Sequence, residues 1–108
     1  IFEGNVFILE EKITGFCFFK KIDNYIEIYS LFVDPRYRKR GVAKFLMKIC
    51  IDFCIKNDLK KIILDVNEKN FQAIEFYKKI GFIFCGKRKD YYKDNENFYD
   101  SFTMYKIV

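Results

Sequence analysis

The residues best suited to chemistry in this chain form one basic stretch that follows an apolar run. Between Asp34-Pro35 and Gly41 the sequence places four cationic side chains, Arg36, Arg38, Lys39 and Arg40. The first N–H groups of a helix have no intrahelical partner, and the helix dipole puts partial positive charge there. Gly41 and Ala43 would let an anionic ligand approach those donors closely. The stretch therefore predicts a pyrophosphate cradle, and the alternative is a solvated basic surface loop.

The composition is that of a globular protein with a modest basic excess. Of the 108 residues, 51% are hydrophobic and 20% aromatic, which suffices for a folded core and excludes a disordered chain. This length predicts a single domain over residues 1–108. The net charge of +5 suits an anionic cofactor, and the lack of any recognisable RNA-binding motif argues against a nucleic acid partner.

The cysteines and the absence of histidine exclude several kinds of site. No C-x-x-C pair is formed by Cys17, Cys50, Cys54 and Cys85, so we expect no metal site. Without histidine, Ser-His and Cys-His triads are excluded. Cys50 and Cys54 lie one helical turn apart in an apolar stripe, which predicts buried free thiols and a reducing, cytoplasmic location. We expect no membrane span and no signal peptide.

The first half of the chain predicts three strands and one helix. Short apolar or alternating runs indicate strands over residues 5–10, 13–20 and 25–33, with turns at 11–12 and 23–24, in an antiparallel meander. After the basic loop, apolar positions at alternating spacings of three and one predict a helix over residues 42–56. Its predicted buried stripe consists of Val42, Phe45, Leu46, Ile49, Cys50, Phe53 and Cys54.

The second half of the chain predicts three more strands and a second helix. A strand over residues 61–66 follows the first helix, and this strand–helix–strand connection predicts parallel pairing with the third strand. Asn70 is the predicted N-cap of the second helix, and Gly81 ends it. Strands over residues 82–88 and 98–107 are joined by a predicted hairpin loop over 89–97. The order βββαβαββ indicates an α/β fold, a mixed sheet with two helices.

Two blocks of this sequence together resemble the GNAT (GCN5-related N-acetyltransferase) superfamily. The family pattern of Arg or Gln, two residues, Gly, one residue, and Gly or Ala is met by Arg38, Gly41 and Ala43. A second block, Asn-x-x-Ala-x-x-Phe-Tyr-x-x-x-Gly-Phe, is met by Asn70, Ala73, Phe76, Tyr77, Gly81 and Phe82. The resemblance implies a single acetyltransferase domain, with a central mixed sheet flanked by helices, that joins an amine directly to the acetyl group of acetyl-CoA.

For the cosubstrate, the resemblance implies a site along one strand end and one helix start. The backbone of Leu31, Phe32 and Val33 would hold the acetyl-pantetheine arm. The pyrophosphate would be cradled by Arg38, Lys39, Arg40, Gly41, Val42, Ala43 and Lys44. Asn70 would also bind the cofactor arm.

For catalysis, the resemblance implies an acid for the leaving thiolate and a base for the ammonium. Tyr77 lies where the family keeps its acid, and the alternative is a core aromatic residue. Asp65 lies where the bacterial ribosomal-protein alanine N-acetyltransferases, a subfamily that the chain resembles, have a Glu. Because Asp is one methylene shorter, the implied base is Asp65, Glu27, Glu68 or a water. The alternative for Asp65 is a strand carboxylate paired with a nearby Lys.

Within the superfamily, the chain is more specifically similar to bacterial ribosomal-protein alanine N-acetyltransferases, through a basic stretch with Tyr91 and Tyr92 and an acidic loop. These tyrosines would line the acceptor groove or else face solvent. The implied acceptor is the N-terminal α-amine of a protein such as a ribosomal protein. The alternatives are a small amine (polyamine, amino sugar or amino acid) and a non-catalytic acetyl-CoA-binding module. The chain begins almost at the meander, without the family's usual first strand and helices, and we expect the exposed strand edge to favour a homodimer.

Overall fold

The computed structural model describes residues 3–9 and 12–108, with side chains from residue 13 onward. In chain order the elements are β1 (Glu3–Leu9), β2 (Lys12–Ile22), β3 (Tyr25–Val33), α1 (Val42–Lys56), β4 (Lys61–Asn67), α2 (Phe71–Lys79), β5 (Ile83–Asp94) and β6 (Asn97–Ile107). A 3₁₀ turn, Pro35–Tyr37, lies between β3 and α1. This order confirms the predicted βββαβαββ arrangement. The predicted end of the first strand at residue 10 and the turn residue 11 lie outside the described residues.

The described chain divides into two compact units. The first unit covers the residues up to Ile62 together with Val108, and the second covers the residues from Ile63 to Ile107. The strand order is β1-β2-β3 and then the start of β4 in the first unit, and β4-β6-β5 in the second. A single domain over residues 1–108 therefore stays a prediction. Neither helix of the described chain is long and apolar enough to cross a membrane.

In the first unit, β1, β2 and β3 form the predicted antiparallel meander. The start of β4 lies beside the start of β3. The Lys60 amide donates to the Asn24 carbonyl at 2.7 Å, and the Lys61 ammonium lies 5.3 Å from the centre of the Tyr25 ring. The parallel pairing of β4 with β3 stays a prediction from the strand–helix–strand connection.

Helix α1 has the predicted bounds and covers one face of the meander. Its buried residues are Val42, Leu46, Met47, Cys50 and Cys54. The Phe19 ring of β2 meets the Phe53 ring of α1 edge to face at 5.1 Å. Phe45 was predicted to be in the stripe but is 45% exposed. The buried row advances by four residues at a time and so turns about 40° around the helix per step, which leaves position 45 outside it.

A glycine in β2 allows α1 to begin close to the strands. A Cβ atom at Gly15 would lie 2.8 Å from the Phe32 carbonyl oxygen and 2.9 Å from Cγ1 of Val42. Ordinary contacts between such atoms are about 3.5–4 Å long. The missing side chain at Gly15 therefore provides the space in which the first residue of α1 packs.

In the second unit, β4 alternates between buried and half-buried side chains, with Leu64 and Val66 on its buried face. The Asn70 side chain accepts a hydrogen bond from the Ala73 amide at 3.3 Å, which confirms Asn70 as the N-cap of α2. Helix α2 ends at Lys79, and Gly81 follows with a φ of +101°. This left-handed conformation explains why a glycine ends the helix.

Strands β5 and β6 form one long hairpin, so the predicted loop over residues 89–97 is wrong. Strand β5 continues to Asp94 and β6 begins at Asn97, which leaves Asn95 and Glu96 as the turn. The side chains of β5 are exposed almost throughout. A strand with little burial carries no alternation of apolar and polar residues, and this is why its second half was predicted to be a loop.

A bulge interrupts the β5–β6 ladder. Arg88 pairs with Ser101 and Tyr92 pairs with Tyr99, so four steps along β5 match two steps along β6 (4 − 2 = 2 extra residues). We call residues 89–91 the β5 bulge. Its central residue, Asp90, has a φ of +52°. Such bulges bend a strand and change the direction in which nearby side chains point.

Candidate active site

The loop between β3 and α1 begins with an ion pair that holds its shape. The Asp34 carboxylate accepts hydrogen bonds from the Arg36 amide (2.9 Å) and from Nε and Nη2 of the Arg36 guanidinium (3.2 and 2.9 Å). These hydrogen bonds from the Arg36 side chain and amide lower the pKa of Asp34 to about 2. Arg36 was predicted to add charge to the cradle, but its charge is directed at Asp34 instead.

The remaining cations of the loop directly precede α1 in the chain. The Arg38 guanidinium donates to the Val33 carbonyl at 3.4 Å, and the Arg40 guanidinium lies 5.5 Å from the centre of the Tyr37 ring. Lys39 has a φ of +62°, a left-handed conformation that is uncommon for lysine. Loop and helix start thus bring together the predicted cradle residues, Arg38, Lys39, Arg40, Gly41, Val42, Ala43 and Lys44.

Gly41 is the residue before the helix and has the left-handed conformation, with φ +80° and ψ +10°. No side chain caps this helix end, and the first intrahelical hydrogen bond runs from the Phe45 amide to the Gly41 carbonyl at 2.9 Å. Adjacent residues aside, no described atom lies within 4 Å of the position that a Gly41 Cβ would take. The space that a side chain at Gly41 would fill is therefore open, and it lies next to the uncapped start of α1, where unpaired amides favour anions.

The three predicted pantetheine-binding residues end β3. Leu31, Phe32 and Val33 pair in register with residues 17, 16 and 15 of β2. The Phe32 ring stacks on the Phe16 ring at 5.4 Å. These residues are continuous with the Asp34 loop, so the strand end and the helix start form one connected segment.

In the second unit, Asp65 lies in a polar cluster with β5 and β6. Its Oδ1 accepts hydrogen bonds from the Thr103 hydroxyl at 2.6 Å and the Ser101 hydroxyl at 3.1 Å. Nε of Arg88 lies 3.7 Å from the same oxygen. The alternative prediction for Asp65, a strand carboxylate paired with a cation, is confirmed in part, because the cationic neighbour is an arginine and not a lysine. Burial, and then the charge of Asp65, raise the pKa of the adjacent Tyr92.

Glu68, one of the alternative bases, contacts β6 through its amide and its carboxylate. Its amide donates to the Asp100 carbonyl at 2.9 Å, and its Oε2 accepts from the Asp100 amide at 2.6 Å. The Asp100 carboxylate in turn accepts from the Asp90 amide of the β5 bulge and pairs with Lys87, each at 2.9 Å. These hydrogen bonds lower the pKa of Asp100 and raise that of Lys87. Glu27 lies in the first unit, in register with Lys20.

Tyr77 is buried on α2, with the rings of Phe76 and Phe82 at 5.6 and 5.5 Å from its own. Tyr91 and Tyr92 belong to β5, where their rings meet edge to face at 5.0 Å. The Arg88 guanidinium lies 5.3 Å from the centre of the Tyr91 ring. Tyr91 is exposed and Tyr92 is half-buried.

The structure thus gathers the predicted residues into two groups. The first unit holds the cradle and the strand end, and the second holds Asp65, Asn70, Tyr77, Tyr91 and Tyr92. The contacts of Ser101 and Thr103 with Asp65 were not predicted, since they join residues 36 and 38 positions apart. The sequence feature that could have indicated them is the spacing of the two hydroxyl residues, since positions i and i+2 of a strand share one face.

A known protein family matches most of this chain. Residues 3–82 match the Acetyltransferase (GNAT) family. The chain belongs to this family. The matched range includes the cradle, Asp65, Asn70 and Tyr77, whereas Tyr91 and Tyr92 lie beyond it. Solved structures with this fold include one in complex with acetyl coenzyme A.

Individual GNAT proteins differ in the acceptor that they are named for. The L-amino acid N-acetyltransferase AaaT of Escherichia coli (strain K12) is 35% identical over 86 residues, 78% of this chain and 52% of that protein. The ribosomal protein bS18-alanine N-acetyltransferase of the same strain is 26% identical over 93 residues, 86% of this chain and 63% of that protein. The crystal structure of the ribosomal-protein-S18-alanine N-acetyltransferase from Escherichia coli has a TM-score of 0.91 at 22% identity, covering 99% of this chain and 69% of that chain, and shows the shared fold. The chain thus spans between 52% and 63% of these two curated relatives.

Proposed function

We propose that this chain provides the catalytic core of an acetyl-CoA-dependent N-acetyltransferase that moves the acetyl group directly to a primary amine. The observation that carries the proposal is the open space at Gly41, which adjoins the first-turn amides of α1 and the cations of the loop. An anionic group fits this space because the amides and cations both favour negative charge. Membership of the GNAT family supports the pyrophosphate of acetyl-CoA as that group.

The reaction needs one group of this chain to accept a proton and another to donate one. When bound, acetyl-CoA supplies a thioester, and the amine nitrogen forms a C–N bond with the acetyl carbon as the C–S bond breaks. The nitrogen of the acceptor ammonium must lose one proton before the attack and a second as the amide forms, and the leaving thiolate must gain one, so one proton in total is released to solvent. We assign the deprotonation of the ammonium to Asp65, directly or through a water, and the protonation of the thiolate to Tyr77, which the second nitrogen proton restores. Asn70 and the ends of β3 and the loop would hold the cofactor.

We propose the N-terminal α-amine of a protein as the acceptor, with Tyr91 and Tyr92 lining its groove. The similarity to the ribosomal protein bS18-alanine N-acetyltransferase supports this acceptor. Aromatic side chains on an exposed strand are also suited to contact an extended peptide.

A free amino acid is the second candidate acceptor. The similarity to AaaT supports it, and so does the pairing of Arg88 with Asp65 at 3.7 Å, because the α-amino and α-carboxyl groups of a zwitterion complement these two charges. A peptide N-terminus has no adjacent carboxylate. A comparison of kcat/KM for alanine and alaninamide tests this acceptor, since only alanine carries the carboxylate that Arg88 would contact.

The first test is calorimetric titration with acetyl-CoA, followed by acetylation assays with Ala-started peptides and a panel of small amines. Binding with turnover of peptides supports the leading proposal, and turnover of a small amine alone supports the second acceptor class. Binding without turnover of any amine would favour the non-catalytic acetyl-CoA-binding module. Failure to bind acetyl-CoA would contradict the proposed function.

A substitution at Gly41 tests the cradle itself. Asparagine adopts left-handed φ values more readily than other residues with a side chain, so Gly41→Asn should fold while filling the open space. We expect acetyl-CoA binding to weaken by about tenfold or more, or ~1.4 kcal/mol. Asp58→Asn is the matched control, because Asp58 also has a left-handed φ, +56°, but follows the other end of α1. Equal acetyl-CoA affinity in both variants would contradict the cradle.

A further inference from the structure

We infer that Ser101 and Thr103 are positioning residues that hold one oxygen of Asp65 so that its other oxygen faces the acceptor amine. The inference rests on the proposed acetyl transfer and adds two residues to it. The Thr103 hydroxyl donates to Oδ1 at 2.6 Å and the Ser101 hydroxyl donates to the same oxygen at 3.1 Å. Nε of Arg88 also approaches Oδ1, at 3.7 Å. Among the described residues, all three contacts end on Oδ1 and none on Oδ2.

The burial of the cluster fits this arrangement. Ser101 is fully buried, the Asp65 side chain is 9% exposed, and the Arg88 side chain is 52% exposed. A carboxylate with so little access to water is costly unless it accepts hydrogen bonds, and the two hydroxyls supply them. The branched Thr103 side chain has few χ1 rotamers, so its hydroxyl has a well-defined direction.

Fixing one carboxylate oxygen matters because proton transfer needs defined geometry. A general base must lie about 2.6–3.2 Å from the atom whose proton it takes, or act through one water. A carboxylate that rotates freely meets this condition only part of the time. With Oδ1 held by strand β6, Oδ2 keeps one direction.

A double-mutant cycle tests the inference. Thr103→Val keeps the branched shape and removes the hydroxyl, and we expect kcat to fall on the order of tenfold with KM for acetyl-CoA unchanged. Thr103→Ser should restore kcat because it restores the donor. Asp65→Asn should lower kcat by about 10²–10⁴-fold. Adding Thr103→Val to Asp65→Asn should cause no further loss, since Thr103 acts through Asp65.

Several results would overturn the inference. Losses that multiply in the double variant would show that Thr103 acts independently of Asp65, and a Thr103→Ser variant as slow as Thr103→Val would show that the hydroxyl does not account for the loss. Full turnover by Asp65→Asn would remove both Asp65 and its positioning residues from the mechanism while leaving acetyl transfer intact. If the wild-type chain acetylates no amine, the proposed function fails instead. Crystal structures of wild type and Thr103→Val then decide the positioning claim, because the Asp65 carboxylate should rotate in the variant, and an unchanged carboxylate would overturn the claim.

Discussion

We predict that replacing Gly15 by alanine destabilises the fold and weakens acetyl-CoA binding, because Gly15 provides the space in which the start of α1 packs against β2. The added Cβ would lie 2.8 Å from the Phe32 carbonyl oxygen and 2.9 Å from Cγ1 of Val42. To reach an ordinary contact, each distance must grow by about 0.6 Å or more. The Phe32 carbonyl is part of a paired strand and cannot move alone, so most of the adjustment should fall on α1.

The expected cost follows from two opposing effects. Overpacking of this kind destabilises proteins by about 1–3 kcal/mol. The smaller conformational freedom of alanine in the unfolded chain raises the free energy of unfolding by about 0.4–1 kcal/mol and so offsets part of this loss. The free energy of unfolding should therefore fall by about 1–2 kcal/mol, which for a domain of this size lowers Tm on the order of 5–10 °C. Because Val42 begins the helix that carries the cradle, acetyl-CoA should also bind about tenfold more weakly.

The assay is thermal unfolding together with calorimetric titration of acetyl-CoA well below the transition. Gly86→Ala is the matched control, since Gly86 also lies in a strand and its added Cβ would meet its nearest neighbour, Thr103 Cβ, at 4.0 Å. We expect the control to gain no more than about 1 kcal/mol of stability, from the smaller conformational freedom of alanine in the unfolded chain. Equal Tm and equal acetyl-CoA affinity in the two variants would refute the argument from the Gly15 contact.

Three further predictions concern charge, thiol reactivity and catalysis. Hydrogen bonds from Arg36 hold the pKa of Asp34 at about 2, below its usual 3.8, so the ionised pair stabilises the fold above pH about 4 and stops doing so as pH falls through about 2. The difference in Tm between wild type and Asp34→Asn should thus disappear near pH 2, and a difference that persists there would count against the pair. A thiol reagent should label Cys85 in the native protein and all four cysteines only after denaturation, since the other three are buried and burial raises the pKa of Cys54 to about 11. Labelling of more than one thiol under native conditions would disagree with this burial. Tyr77→Phe keeps the ring contacts and should lower kcat far more than acetyl-CoA affinity, whereas unchanged turnover would exclude Tyr77 as the acid.

The sequence predicted best those elements that have one strongly apolar face. The bounds of α1 and β3 were predicted correctly, because a helical stripe and a long apolar run are local signals. The N-cap role of Asn70 was also predicted correctly, since capping depends on the few residues that follow. Strand β5 was predicted poorly because its pairing with β6, and not burial, determines its conformation.

Local sequence patterns could not predict the contacts between side chains of the site, least of all those between residues far apart in the sequence. Arg36 counted as a free cation in the sequence, and only the 3₁₀ turn directs its guanidinium back onto Asp34. The hydroxyls at Ser101 and Thr103 meet Asp65 because β6 lies beside β4 in the sheet order, which no single segment encodes. Side chains that act alone were therefore predictable, whereas side chains that act through a partner were not.

The β5 bulge divides the hairpin into two parts that can open separately. A bulge locally disrupts the hydrogen bonds of a ladder, so local opening of one part of the hairpin need not extend to the other. Opening that starts at the Asn95 turn should stop at residues 89–91, where the Asp100 carboxylate holds the Asp90 amide. Ser101 lies on the far side of this barrier, paired with Arg88. The hairpin tip can thus fray and adapt its shape while the hydroxyls that contact Asp65 keep their places.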